Sequence, residues 1–349
     1  MGITHLSGLE VAGVPTMGTG GLLPFTGNYF FVDYYRGSDG NTGAADSPLQ
    51  TLYQAQNLMQ DGHNDVAIIV PSPLSTSASN GTQRLSTAIA QTITPAATTG
   101  TLTWAKSACH IYGLTGPTVN PRARIAPPAT YTAATFGATT TPLVDVTAQG
   151  CIFANFEVYC GFSTNSGNAT TAWKDEGGRN YYFGVTFDGM NDATAAASTS
   201  SRSLLISGNV GEKTFERCTI GGDTTSRGAG TISLELTGGS PRNKFIDCDF
   251  PSLISSATGT VDVKIGVGGI DRWIKFRSCV FMNAATAQGG TTMTGAVIMD
   301  AAPGGLALMK DCTLMNITHQ GYDSNTRTVQ YVDGAVPTGA TTGIAVVSA

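Results

Sequence analysis

Apolar positions along this chain show little sustained helical periodicity; they recur in short bursts separated by Gly, Asn, Asp, Ser and Thr. From residue 153 onward one six-residue pattern returns: apolar, any, turn residue, apolar or Cys, any, apolar. Its instances are FANFEV (153–158), YFGVTF (182–187), FERCTI (215–220), FIDCDF (245–250), FRSCVF (276–281) and MKDCTL (309–314). Their starts lie 29, 33, 30, 31 and 33 residues apart, and a near-constant period of this length marks a solenoid.

The unit decides which solenoid. Short β-prone runs disfavour helical repeats. The third position holds Asn155, Gly184, Arg217, Asp247, Ser278 and Asp311, and four of these six are types that tolerate a left-handed backbone best, which predicts a sharp corner. In a strand, residues two apart share a face, so Cys218 and Ile220 point inward together. Coils stacked about 4.8 Å apart then align Phe156, Val185, Cys218, Cys248, Cys279 and Cys312 as one interior ladder. The expected fold is all-β, a single-stranded right-handed parallel β-helix of roughly nine coils, its hand following from the preference of parallel crossovers.

Upstream, YFFVDYYRGSDGNTGAADSPLQTLYQAQNLM (29–59) predicts an aromatic and β-branched strand, then a Gly/Asp/Asn loop, then a short helix over SPLQTLYQAQNLM. Val66–Val70 predicts a buried strand, and the Ser/Thr/Ala-rich residues 71–101 a surface excursion. Residues 1–27 hold seven glycines and little charge, which predicts an extended arm docked on a neighbour, with Leu6, Leu9, Val11, Val14, Met17, Leu22 and Leu23 as its anchoring side chains. The expected organisation is an arm over 1–27, strand, turn and capping helix over 28–65, β-helix over 66–335 and a C-terminal tail over 336–349.

Composition sharpens this picture. Only 12% of residues are charged, while 44 glycines and 49 threonines favour strands and turns. A net charge of −5 without any Lys/Arg run argues against a nucleic-acid partner. The longest aliphatic run falls far short of the roughly 20 residues of a bilayer span, and residues 1–27 lack a signal-peptide pattern, so neither a membrane partner nor export is expected.

FVDYYRGSDGNTGAADSPLQTLYQA (31–55) resembles the N-terminal segment of right-handed parallel β-helix proteins of the pectate-lyase-like superfamily, in which a strand, a G-S-D-x-N-x-G turn and a short helix cover the open end of the first coil. Together with SGLEVAGVPTMG, GCIFANF, GGRNYYF and RNKFIDC, it is similar to a family of tailed-bacteriophage β-helix proteins often encoded near the major capsid protein. The resemblance implies synthesis in a host cytoplasm and a place on the virion, at the capsid surface, with the major capsid protein as partner. It carries over no catalytic residue.

Candidate chemistry is sparse. The seven cysteines include no C-x-x-C, and a linear stack of thiols cannot converge on zinc, so neither metal nor cofactor is expected. Glu216, Asp247, Asp249 and Asp311 are the nearest candidates for acid–base work. Asp247 and Asp311 occupy corners, where Arg217 is expected to pair with Asp247. Asp249 falls in a row with Thr186, Thr219, Val280 and Thr313. His5, His63, His110 and His319 lack nucleophile partners in sequence. The favoured expectation is therefore a non-enzymatic capsid decoration or cement protein, assembled as a homotrimer; the alternative is a tailspike or fibre that binds or degrades host surface polysaccharide.

Overall fold

A computed structural model describes residues 10–11, 14–15, 27–34, 36–71, 101–115, 123–125, 142–159, 171–189, 196–256, 259–284, 291–300, 302–323, 329–332 and 344–345. Within them the short apolar bursts become strands wound into a right-handed parallel β-helix with three faces. One coil shows the plan. Tyr181–Phe183 lies on the first sheet (I), the chain turns at Gly184 into Thr186–Asp188 on the second (II), and Arg202–Ile206 follows on the third (III). Thr214–Glu216 then returns to sheet I, with Tyr182 in register with Phe215.

Among the described residues sheet I has eleven strands, running from Tyr29–Val32 to Val329–Val332 in parallel and closing with an antiparallel Ile344–Ala345; sheets II and III have eight each. Among the described residues seven coils, from His110–Gly113 to Ile317–Asp323, carry a strand on every sheet. Beyond these seven, against the nine expected, the described residues place Tyr29–Val32, Val66–Ile69 and Val329–Val332 on sheet I and Leu102–Trp104 on sheet III.

The core is built from rows of equivalent residues. Inward on sheet I, Phe153, Tyr182, Phe215, Phe245 and Phe276 stack coil on coil: Tyr182 and Phe215 have centroids 4.4 Å apart and planes within 3°, Phe215 and Phe245 4.6 Å and 2°. On sheet II, Phe250 and Phe281 repeat this at 4.6 Å. The parallel register dictates the arrangement, since each residue sits directly above its counterpart one coil earlier. Each such pair contributes on the order of 0.5–1.5 kcal/mol beyond its buried area.

At the N-terminal end, helix Leu52–Leu58 packs Leu52 and Ala55 onto the core. Thr51 caps it, its Oγ1 accepting the Gln54 N–H at 2.9 Å. Asp39, from the G-S-D-x-N-x-G turn, accepts the Gln50 and Thr51 N–H groups and the Thr51 hydroxyl at 2.9–3.1 Å, so the turn fixes where the helix begins. Among the described residues no helix is long and apolar enough to cross a membrane.

Candidate functional site

The six corner residues lie between sheets I and II. Asn155, Gly184, Arg217, Asp247, Ser278 and Asp311 have φ of +57°, +58°, +51°, +52°, +52° and +53°. The following residues, Phe156, Val185, Cys218, Cys248, Cys279 and Cys312, point inward, each at most 7% exposed. The described cysteines are free thiols, packed coil on coil against backbone carbonyls such as Phe215 O. Burial pushes the Cys109 thiol up to about 11 and the Cys151 thiol up to about 12, and it raises Cys248 and Cys279 as well, which leaves these four protonated and unreactive. Among the described residues no three His, Cys, Asp or Glu side chains gather where they could hold a metal ion.

The carboxylates singled out from sequence are not brought together. Glu216 is on sheet I, accepting the Tyr181 hydroxyl at 2.8 Å. Asp249 is on sheet II, in register with Thr219 and Val280. Asp311 is at a corner beside Lys310, 3.4 Å away. The expected Arg217–Asp247 pair is not among the ion pairs of the described residues: the Arg217 guanidinium instead lies 5.8 Å from the centre of the Phe183 ring on the preceding coil. Of the expected anchoring residues, Val11 and Val14 are register partners in two-residue antiparallel strands; Leu6, Leu9, Met17, Leu22 and Leu23 lie outside the described residues, as does His5.

Two groupings escaped the sequence analysis. The first is internal. At the turn from sheet III to sheet I, Asp175 accepts the Tyr182 hydroxyl at 2.6 Å and the Asn180 amide at 3.2 Å, with the Lys213 ammonium 3.9 Å away. Asp175 and Lys213 are fully buried. Burial raises Asp175 to about 6 against the pull of Lys213, and it lowers Lys213. Substrate cannot reach this cluster, so its work is to satisfy polar groups inside the coil.

The second lies on the outer face of sheet III, where alternation brings one outward side chain per coil to the surface: Asp145, Lys174, Leu205, Glu235 and Lys264 in register. Lys174 joins Asp145 at 3.7 Å and Glu176. Arg202 binds Glu235 at 2.6 Å, and the Lys264 ammonium sits between Glu235 at 3.8 Å and Asp300 at 3.7 Å. Desolvation pushes Asp145 up despite Lys174. Two carboxylates sharing one lysine on an accessible sheet is the arrangement nearest to acid–base chemistry on the described surface. A usable signal existed: PLVDV (142–146), ISLEL (232–236) and VDVKI (261–265) each put a charge fourth in a five-residue strand that ends on an aliphatic residue.

No family model matches the chain, and no curated protein does either. Among solved structures it is similar to pectate lyase Pel9A, with a TM-score of 0.54 and 11% identity over 89% of this chain and 71% of that one. It is similar also to a pectin methylesterase in complex with a hexasaccharide, with a TM-score of 0.55 and 14% identity over 90% and 91%. A protein described as Geobacillus virus E2 ORF18 aligns with a TM-score of 0.32, too low to bear on function. At these identities the likeness shows the fold: the chain is a right-handed parallel β-helix of the architecture shared by pectate lyase and pectin methylesterase.

Proposed function

We propose that the chain is a structural component of a tailed-phage virion, a capsid decoration or cement protein that holds the major capsid protein through residues 1–27 and presents the β-helix at the capsid surface as a homotrimer. The observation that carries this reading is how the ionisable groups are distributed. Asp175 and Asp262, the carboxylates whose protonation is most displaced, are sealed inside, and the outward charges of sheet III neutralise one another from coil to coil. Such ion pairs hold adjacent coils in register, as a rigid rod requires. The sequence resemblance of the arm and capping segment to phage β-helix proteins supports the location. Deleting residues 2–24 is expected to leave a folded β-helix that no longer co-purifies with capsids. Retention on the particle would overturn the anchor, and a monomer by native mass measurement, free and on the particle, would overturn the trimer.

A second reading, a tailspike that degrades host surface polysaccharide, is favoured by one observation: Glu235 and Asp300 flank the Lys264 ammonium on an open sheet. On this reading the chain depolymerises capsule or lipopolysaccharide, and Glu235→Gln with Asp300→Asn abolishes the activity while circular dichroism is unchanged.

A further inference from the structure

The outer face of sheet I is charged differently from that of sheet III. Lys244 sits beside Lys275 and Arg277 beside Lys310, each pair one rung apart in register. Lys310 has Asp311 nearby, but Lys244, Lys275 and Arg277 belong to no ion pair among the described residues, whereas Lys174, Arg202 and Lys264 on sheet III all do. Neighbouring like charges repel, and here they do so in a chain whose net charge is −5. Between them Trp273, Ile246 and Leu308 complete an open groove of about 370 Å³. Trp273 is half-buried, its row alternating with the inward Ile274 and Phe276.

We infer that this groove binds a linear acidic polysaccharide, its carboxylates on Lys244, Lys275 and Arg277 and a sugar ring against the Trp273 indole. Charge complementarity requires an anion, and the groove's size selects among anions. It falls in the ~300–1,000 Å³ range of sites for small ligands, and six side chains line it, where a protein interface engages about 20–30 residues a side. A nucleic acid, with a charge every ~1.7 Å of duplex, is repelled by the acidic remainder of the molecule, whereas a glycan with one carboxylate per unit matches a few separated cations, Lys244 one rung from Lys275 and Arg277 two residues along the same strand. The aromatic and aliphatic floor offers a saccharide ring an apolar surface. This inference goes beyond the capsid-associated reading and does not depend on what residues 1–27 hold.

The molecule carries its own reporter. Of its three tryptophans, Trp104 and Trp173 are fully buried and only Trp273 meets solvent. Hexasaccharides of polygalacturonate, alginate and hyaluronate are titrated into the full-length protein at low salt, with emission and calorimetry read together. Saturable binding of at least one of them is expected, with a change in Trp emission and an affinity that falls as ionic strength rises. A neutral dextran hexamer is expected not to bind. Lys244→Gln with Lys275→Gln, and Arg277→Gln separately, should each weaken binding about tenfold or more, with melting temperatures unchanged or higher because repulsion is removed. Trp273→Phe should erase the emission change while calorimetry still detects binding. The site is overturned if none of the three hexasaccharides binds, if binding is insensitive to salt, or if the charge variants bind like wild type. Inorganic phosphate or poly-glutamate binding as tightly as the hexasaccharides would overturn the polysaccharide as occupant.

Discussion

His110 shows how a single residue's protonation is set by its surroundings. Its Nδ1 accepts the Ile152 N–H at 3.0 Å, which leaves the ring proton on Nε2, 3.4 Å from the Asn64 carbonyl oxygen. Protonating Nδ1 would drive one donor against another, and burial pulls the group from 6.5 to about 4, although Asp65 pulls the other way. Because the folded value lies below the unfolded one, the stability this residue contributes is present above about 6.5 and is lost as pH falls toward about 4. An NMR titration should place the His110 midpoint near 4. His110→Ala, which leaves the half-buried Ile152 amide without this acceptor, should cost about 1–3 kcal/mol at pH 7. Asp262 slopes the other way. Burial raises it to about 7 despite Arg227, 4.0 Å away, so its contribution is present below about 4 and is lost as pH climbs through 7. Asp262→Asn should therefore gain stability relative to wild type between pH 4 and pH 7, measured by urea unfolding across that range.

At the scale of the element, the corner between sheets I and II is the unit that repeats. A left-handed backbone costs an ordinary L-residue about 1–2 kcal/mol and glycine nothing. Asp247, at φ +52°, should accept Gly with a change within about 1 kcal/mol, whereas Asp247→Val should lose about 1–2 kcal/mol in chemical denaturation. This local rule is why the fold class was legible: a turn residue, then an inward apolar or Cys residue, recurs every 29 to 33 positions. The charged rows were not legible in the same way. Glu235 meets Arg202, 33 residues away, and Lys264, 29 away, and such partners become neighbours only once the register of sheet III is known. Arg217 failed as a partner for Asp247 because its guanidinium found the Phe183 ring of the coil before it. Asp175 was hidden for another reason: sequence patterning treats a carboxylate as an outward residue, and here Tyr182, Asn180 and Lys213 make an inward one tolerable.

At the scale of the molecule, a stack of parallel strands has a chemical problem at each end, where the last rung presents N–H and C=O groups without a next coil to receive them. Exposed edges of this kind template pairing with other chains. On sheet III the first described strand is Leu102–Trp104, and the groups on its free side are met by a side chain. Gln56, on the capping helix, donates its amide to the Thr103 carbonyl at 2.8 Å and accepts the Ala105 N–H at 2.8 Å, so one glutamine acts as a short piece of an additional strand. The same helix covers the apolar end of the core with Leu52 and Ala55. Gln56→Ala removes both hydrogen bonds and leaves the edge open without disturbing the helix cap at Thr51. The expected result is a loss of about 1–3 kcal/mol together with self-association that increases with protein concentration, followed by light scattering. Gln56→Glu separates the two hydrogen bonds: its carboxylate still accepts the Ala105 N–H but repels the Thr103 carbonyl at neutral pH, and on protonation it can donate there. Association by that variant should therefore weaken as pH falls through the usual Glu range, whereas Gln56→Ala should associate equally at all pH values. If neither variant associates more than wild type, Gln56 supports the helix alone and the edge is protected by some other means.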